Sequence, residues 1–176
     1  GITFSKPVFP SFATNPANYN VNGSLPILAV LQTNGYQVAL LYERLKDAVW
    51  QNEYIYTYTH DTSGDELTRL YQRWSNGQWQ NQSYDTSGYD ANGNLLTYLS
   101  KQWRNGQWVN TNRHTWTYDA AGKLLSVVYE QWAQGQWENR ARYMYAYDAS
   151  GLETTSLYQD WVAGNWADTW RESYDY

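Results

Sequence analysis

The chain has 176 residues, a formal net charge of −5 and no cysteine. The missing cysteines exclude disulfides and thiolate metal sites, and only 12 lysines and arginines leave no electrostatic basis for nucleic-acid binding. No apolar run approaches the roughly 18 residues that a membrane-spanning helix needs, so no membrane span is predicted. The 18 tyrosines and 11 tryptophans on a polar background favour half-buried β-strands.

Residues 1–31 form a leader that holds all four prolines and all three phenylalanines and no tryptophan. Within it, residues 25–32 predict a first strand, and residues 1–20 predict an extended arm, because proline is confined to strand edges. Such an arm can pack on its own sheet or add to a neighbouring subunit, as donated segments do. Both alternatives stay open. The side chains expected to anchor the arm are Ile2, Phe4, Val8, Phe9 and Phe12.

Residues 32–176 are five repeats of 29 residues, the domain that follows the leader. A fixed period of this kind is typical of repeat architectures. The period separates Trp74, Trp103, Trp132 and Trp161, and equally Trp50, Trp79, Trp108, Trp137 and Trp166. It also separates Tyr89, Tyr118, Tyr147 and Tyr176, with His60 in the first place of that series.

Each repeat carries two turn signals. The first is Trp-x-x-Gly-x-Trp, often with Asn before the glycine, which predicts a type I′ hairpin with the two tryptophans opposite each other. The second is Tyr-Asp-x-x-Gly, which predicts a three-residue loop that Asp begins and Gly closes. The residues assigned to turns are Asp61, Gly64, Asp90, Gly93, Asp119, Gly122, Asp148 and Gly151, together with Gly77, Gly106, Gly135 and Gly164.

These signals predict an all-β fold, an antiparallel meander of about ten strands from five two-strand repeats. Strict alternation along each strand predicts that the faces stay in phase through both turns. One face would then carry the tryptophan pairs together with Tyr56, Tyr58, Trp116, Tyr118, Tyr143, Tyr145, Tyr147, Tyr174 and Tyr176. Because so aromatic a face cannot remain bare, the sheet is expected to curl, to close as a barrel, or to be covered by another chain.

The segments Tyr118-Asp119-Ala120-Ala121-Gly122 and Tyr147-Asp148-Ala149-Ser150-Gly151 resemble the YD repeat of Rhs-type wall proteins. The whole repeat resembles the tryptophan-containing repeats of secreted Bacteroidetes proteins that often precede a type IX secretion sorting domain. The resemblance implies a β-sheet architecture and an extracellular or cell-surface location. The repeat is longer than a plain YD repeat, and the leader matches neither family. The simplest interpretation is a mature processed chain, and a fragment of a larger protein would look the same.

The sequence predicts no catalytic, cofactor-binding or metal-binding residue, and therefore no enzyme. His60 occupies a column otherwise filled by tyrosine, which indicates packing. His114 shares its column with Tyr56, Asp85, Tyr143 and Glu172, and this variation is typical of a surface or rim position. The repeated aspartates each begin a turn, which explains them without catalysis. Asp90-Ala91-Asn92-Gly93-Asn94 resembles half of a calcium loop but lacks the remaining acidic ligands.

Two functions are consistent with this pattern. The first is a structural subunit of an extracellular fibre or surface layer, a homopolymer in which the arm adds to a neighbouring subunit. The alternative is a glycan-binding or adhesive module, because tryptophan planes stack on sugar rings and amides read hydroxyls, which makes polysaccharide the partner. Its platform residues would be Trp74, Trp79, Trp103, Trp108, Trp132, Trp137, Trp161 and Trp166. Each hairpin's second tryptophan is followed two residues later by Asn81, Asn110, Asn139 or Asp168.

Overall fold

The computed structural model describes the backbone of residues 27–33 and 36–176, and the side chains of residues 36 and 38–176. Eleven β-strands and no helix occur in this part of the chain, so no helix there could cross a membrane. The strands are β1 (Ile27–Thr33), β2 (Tyr36–Lys46), β3 (Val49–His60), β4 (Glu66–Ser75), β5 (Gln78–Tyr89), β6 (Leu95–Arg104), β7 (Gln107–Tyr118), β8 (Leu124–Ala133), β9 (Gln136–Tyr147), β10 (Glu153–Val162) and β11 (Asn165–Ser173).

The strands follow one another in a single antiparallel meander, β1 to β11 in chain order. The all-β fold and the two-strand repeat are therefore confirmed, and β1 occupies the strand slot predicted in the leader. In this order the described end strands β1 and β11 each have one neighbour, as in an open sheet and unlike a closed barrel. The chain divides within β5 into an N-terminal unit that ends at Tyr84 and a C-terminal unit, Asp85–Tyr176.

The first turn of each repeat holds two residues with positive φ, which is the requirement of a type I′ hairpin. Asn76 and Gly77 have φ of 52° and 75°, and Ala163 and Gly164 have φ of 50° and 84°. The register pairs the two tryptophans directly, as in Trp103↔Trp108, Trp132↔Trp137 and Trp161↔Trp166.

The faces do not stay in phase as the alternation predicts. Trp103 and Tyr98 lie five residues apart on regular strand β6 and therefore face opposite ways. Their partners on β7, Trp108 and His114, lie six residues apart, because Thr111 is an extra residue in a β-bulge. The predicted single aromatic face is therefore wrong. The other face of the sheet, away from the tryptophan pairs, carries Tyr56, Tyr58, Trp116, Tyr118, Tyr143, Tyr145, Tyr147 and Tyr174.

Bulges recur at the repeat spacing, at two positions of the repeat. The first lies after the tryptophan hairpin, at Glu53, Thr111, Arg140 and Thr169. The second lies after the Asp turn, at Leu67, Leu125 and Thr154. Each bulge reverses the alternation and the second undoes the first, so within each unit all tryptophan pairs share one face. We call it the tryptophan face and the opposite one the tyrosine face.

The sheet buries little apolar surface in the part of the chain that the structure describes. The buried hydrophobic residues there are Ile55 and Val127, at 5% and 4% exposure, and no side chain is fully buried. Most aromatic side chains on both faces are half-buried. The arm, residues 1–20, lies outside the described residues, together with its predicted anchors Ile2, Phe4, Val8, Phe9 and Phe12.

Candidate functional site

The tryptophan face presents a row of edge-to-face indole pairs. Each pair is held by its type I′ turn, with ring centroids 4.9–5.0 Å apart and planes at 68–71°. Edge-to-face packing suits the ring quadrupole. The pairs are Trp74–Trp79, Trp103–Trp108, Trp132–Trp137 and Trp161–Trp166, and the first hairpin has Leu45 opposite Trp50 instead.

Charged and amide side chains run beside the tryptophan pairs in the C-terminal unit. Arg113 lies 4.7 Å from the ring centroid of Trp137 and donates two hydrogen bonds of 2.6 Å to Glu130. This bidentate bond raises the pKa of Arg113, so the guanidinium stays charged. Arg142 repeats the arrangement, 4.5 Å from the ring centroid of Trp166. Guanidinium groups therefore cover the ring faces of the second tryptophan in these hairpins.

The polar row continues through a buried amide. Gln159, at 8% exposure, accepts a hydrogen bond from Arg142 Nε and donates one to Asp168, both at 2.5 Å. In the N-terminal unit Gln72 donates to Asn81 at 2.9 Å. A polar residue stands two positions before the first tryptophan of each hairpin, or before Leu45 in the first hairpin. The residues of this column are Glu43, Gln72, Lys101, Glu130 and Gln159. The sequence pattern pairs the second tryptophans with the amides at Asn81, Asn110, Asn139 and Asp168, and the period of this further column is equally visible in the sequence.

The tyrosine face of the N-terminal unit holds a cluster of five tyrosines. Tyr42 and Tyr54 are register partners whose rings stack at 4.1 Å. Tyr56 and Tyr71 stack at 4.9 Å, and Tyr58 lies 6.3 Å from Tyr56. Burial raises the pKa of Tyr54 to about 12, with further contributions from the neighbouring tyrosines and a hydrogen bond with Tyr42. Tyr54 is therefore protonated at neutral pH.

The tyrosine face of the C-terminal unit is organised around His114. The imidazole lies 4.7 Å from the Tyr129 ring, 5.4 Å from Tyr98 and 5.8 Å from Trp116. Burial lowers the pKa of His114, because the apolar rings solvate its charged form poorly. The side chain fills an aromatic slot, whereas the mixed residues in its repeat column predict a surface or rim position.

The Asp turns are closed by side chains from two directions. Asp119 Oδ1 accepts hydrogen bonds from the backbone of Ala121 and Lys123, both at 2.8 Å. Gly122 N donates to Asp119 O at 3.0 Å, with φ of 82° at the glycine. The tyrosine before this turn reaches back to the strand that follows the preceding Asp turn, and Tyr118 Oη donates to Leu95 O at 3.0 Å. Asp61, Asp90 and Asp148 accept backbone hydrogen bonds in the same way.

The half calcium loop is internally satisfied. Asp90 Oδ1 accepts from the backbone of Asn92 and Asn94, and Oδ2 accepts from Asn94 Nδ2. These hydrogen bonds, the Asn94 side chain first, lower the pKa of Asp90. Among the described residues no three His, Cys, Asp or Glu side chains are grouped to hold a metal ion.

An open, polar cavity of about 310 Å³ lies on the C-terminal unit, where the hairpins of β6–β7 and β8–β9 diverge. Four amides line it, together with Arg104, Thr111, Val109 and Trp132; the amides are Gln102, Asn110, Asn112 and Gln131. Amides and a guanidinium beside an indole can bind hydroxyl groups. The lining residues come from two neighbouring repeats, 90–118 and 119–147, so the group forms only where β7 and β8 lie side by side.

The outer edge of β11 is the most exposed part of the C-terminal unit. Every residue from Ala167 to Tyr176 is exposed, including Trp170 at 45% and Tyr176 at 75%. On β9, by contrast, the equivalent Tyr147 is half-buried and its hydroxyl donates to Leu124 O at 2.8 Å. The difference follows from the strand order, since β10 covers the far side of β9.

The fold is similar to that of solved Bacteroides proteins. A protein of unknown function from Bacteroides fragilis superposes with a TM-score of 0.55 at 14% identity, over 69% of this chain and 92% of that one. A DUF3836 family protein from Bacteroides vulgatus gives 0.44 at 17% identity, over 53% and 99%. No protein-family model and no curated protein matches the sequence. The first likeness shows the fold alone.

Proposed function

We propose that this chain is a non-enzymatic structural subunit of an extracellular assembly, a fibre or surface layer built from copies of itself. The observation that supports the proposal best is the outer edge of β11, which is exposed where the equivalent edge of β9 carries another strand. An exposed strand edge offers unpaired backbone N–H and C=O groups to an incoming strand. The N-terminal arm of a neighbouring subunit is the proposed donor.

The hydrogen-bond pattern identifies which groups of β11 would receive that strand. Tyr174 N donates to Thr154 O at 3.0 Å, so it faces β10. Because successive N–H groups of a strand point to opposite sides, those of Ser173 and Arg171 face outward. Proline at Ser173 would remove an outward donor while leaving the bonds to β10, and edge positions tolerate proline.

The arm matches the edge in chemistry. Ile2, Phe4, Val8, Phe9 and Phe12 supply apolar side chains for the exposed ring surface of Trp170 and Tyr174, which are 45% and 39% exposed. An added strand combines main-chain hydrogen bonds with side-chain pockets, as in strand-donation complexes. The donor therefore gains both kinds of contact at one edge.

The test uses two separate variants, a deletion of residues 1–20 and Ser173→Pro, with Ser173→Ala as the matched control for the proline. Light scattering across a concentration series, with negative-stain microscopy, should give large species for the unaltered chain and the alanine variant. Both the deletion and the proline variant should remain folded by circular dichroism and monomeric. A monomeric unaltered chain, or polymers that survive both changes, would overturn the proposal.

A glycan-binding function is the second candidate, favoured by the amide-lined cavity beside Trp132. The guanidinium groups over Trp137 and Trp166 make those rings poor sugar platforms, which restricts the site to the first indole of the hairpin. Titration with neutral oligosaccharides should change indole fluorescence, and Gln131→Leu should abolish that change while Gln80→Leu should not. Equal responses of the two variants would count against this site.

A further inference from the structure

Tyr42 and Tyr54 form a closely stacked pair of tyrosine rings on the tyrosine face of the N-terminal unit. They are directly opposite on β2 and β3, with centroids 4.1 Å apart and planes at 27°. The next stacked cross-strand pair, Tyr56 and Tyr71, is 0.8 Å wider, at 4.9 Å. Both residues are half-buried, so part of each remains accessible to solvent.

This stacking brings the reactive carbons of the two phenols together. In a tyrosyl radical the unpaired electron is shared between the oxygen and the two ring carbons beside it, in orbitals perpendicular to the ring. Stacked rings direct these orbitals at each other, whereas an edge-to-face pair does not.

We propose that Tyr42 and Tyr54 are a site of oxidative modification, at which a haem peroxidase and hydrogen peroxide join the two side chains as dityrosine. Each phenol gives up one electron and one proton, which reduce hydrogen peroxide to two molecules of water. The two radicals then form a bond between one carbon ortho to each hydroxyl. The hydrogens on those carbons leave as protons and the oxygens are reprotonated, which restores both aromatic rings.

The surrounding cluster supplies the radicals to this pair. Tyr56 lies 5.8 Å from Tyr54, and Tyr71 lies 5.9 Å from it, both edge-to-face. An electron hole formed on either ring can pass to Tyr54 through these contacts, and coupling then takes place where two rings stack most closely. The product covalently joins β2 to β3 within one chain.

Peptide mapping after oxidation tests the site directly. Horseradish peroxidase with hydrogen peroxide should produce the blue fluorescence of dityrosine in a chain that still runs as a monomer on a denaturing gel. Trypsin cleaves after Arg44 and Lys46, so it separates Tyr42 from Tyr54 unless the rings are joined. Fragmentation of the joined peptides should place the link at Tyr42 and Tyr54.

Phenylalanine variants provide the controls, because they keep the ring and remove the hydroxyl. Tyr42→Phe and Tyr54→Phe should reduce the fluorescence to that of the unoxidised protein, and Tyr71→Phe should leave the link in place. A link mapped to Tyr56 and Tyr71, links found only between chains, or no link at all would overturn the proposal. The map of the unaltered chain decides the question even where a variant fails to fold.

Discussion

Replacing Gly64 by alanine isolates the contact between neighbouring repeats. The turn glycine has φ of 99°, and an added Cβ would come within 2.9 Å of Cζ and 3.0 Å of Oη of Tyr36, with the ring's Cε1 closer still. Tyr36 stacks on His60 with centroids 5.5 Å apart, so its ring cannot move without losing that contact. Gly77 is the matched control: it has φ of 75° and open space around its missing side chain.

The expected magnitudes follow from these two environments. Left-handed backbone costs a non-glycine residue about 1–2 kcal/mol, and both alanine variants incur that cost. Displacing Tyr36 from His60 adds about 0.5–1.5 kcal/mol for the lost ring pair. Gly64→Ala should therefore destabilise the chain by about 1 kcal/mol more than Gly77→Ala does.

Urea unfolding followed by tryptophan fluorescence measures both variants, alone and combined with Tyr36→Ala. Removing the Tyr36 ring should relieve the extra cost, so that Gly64→Ala becomes about as mild as Gly77→Ala in that background. Equal destabilisation by the two variants with Tyr36 present would refute the reasoning. So would an excess cost at Gly64 that persists when the ring is absent.

Three further perturbations test the two faces and the Asp turn. Burial lowers the pKa of His114 below its ordinary 6.5, so its neutral form stabilises the fold above pH 6.5. This contribution is lost as the pH falls through the folded-state pKa. The urea concentration at the unfolding midpoint should therefore depend less on pH in the His114→Tyr variant. Glu130→Gln should lower the free energy of unfolding by about 1 kcal/mol, and by less at high salt, because the ion pair with Arg113 is only partly screened from solvent. Urea unfolding at low and at high salt measures the difference. Asp119→Ala should cost about 1 kcal/mol through lost turn hydrogen bonds, whereas Asp119→Asn keeps the acceptor and should remain near the unaltered stability, as melting curves would show.

The strand order and hairpin register could be predicted because their signals are local. Turn residues such as Asn105 and Gly106 fix which strands meet, and the repeat then extends that pairing along the chain. The Asp turn likewise fixes Tyr118 opposite Leu124. A period carried by short turns is sufficient to place ten strands without any long-range information.

The two faces could not be predicted because bulges leave little trace in sequence. Thr111, Arg140 and Thr169 occupy the same repeat position and share no turn chemistry, so strict alternation passes over them. Once they are included, the tyrosines move to the face opposite the tryptophans. The guanidinium contacts with Trp137 and Trp166 depend on the same shift, and for that reason the sequence did not indicate them.

The paired bulges limit which insertions and deletions the sequence of this protein tolerates. Deletion of one bulge residue would move every following side chain of that strand to the other face of the sheet. Gain or loss of a complete 29-residue repeat leaves each side chain on its own face. Length variants of this fold should therefore differ by whole repeats, and single-codon insertions should be found only in the turns.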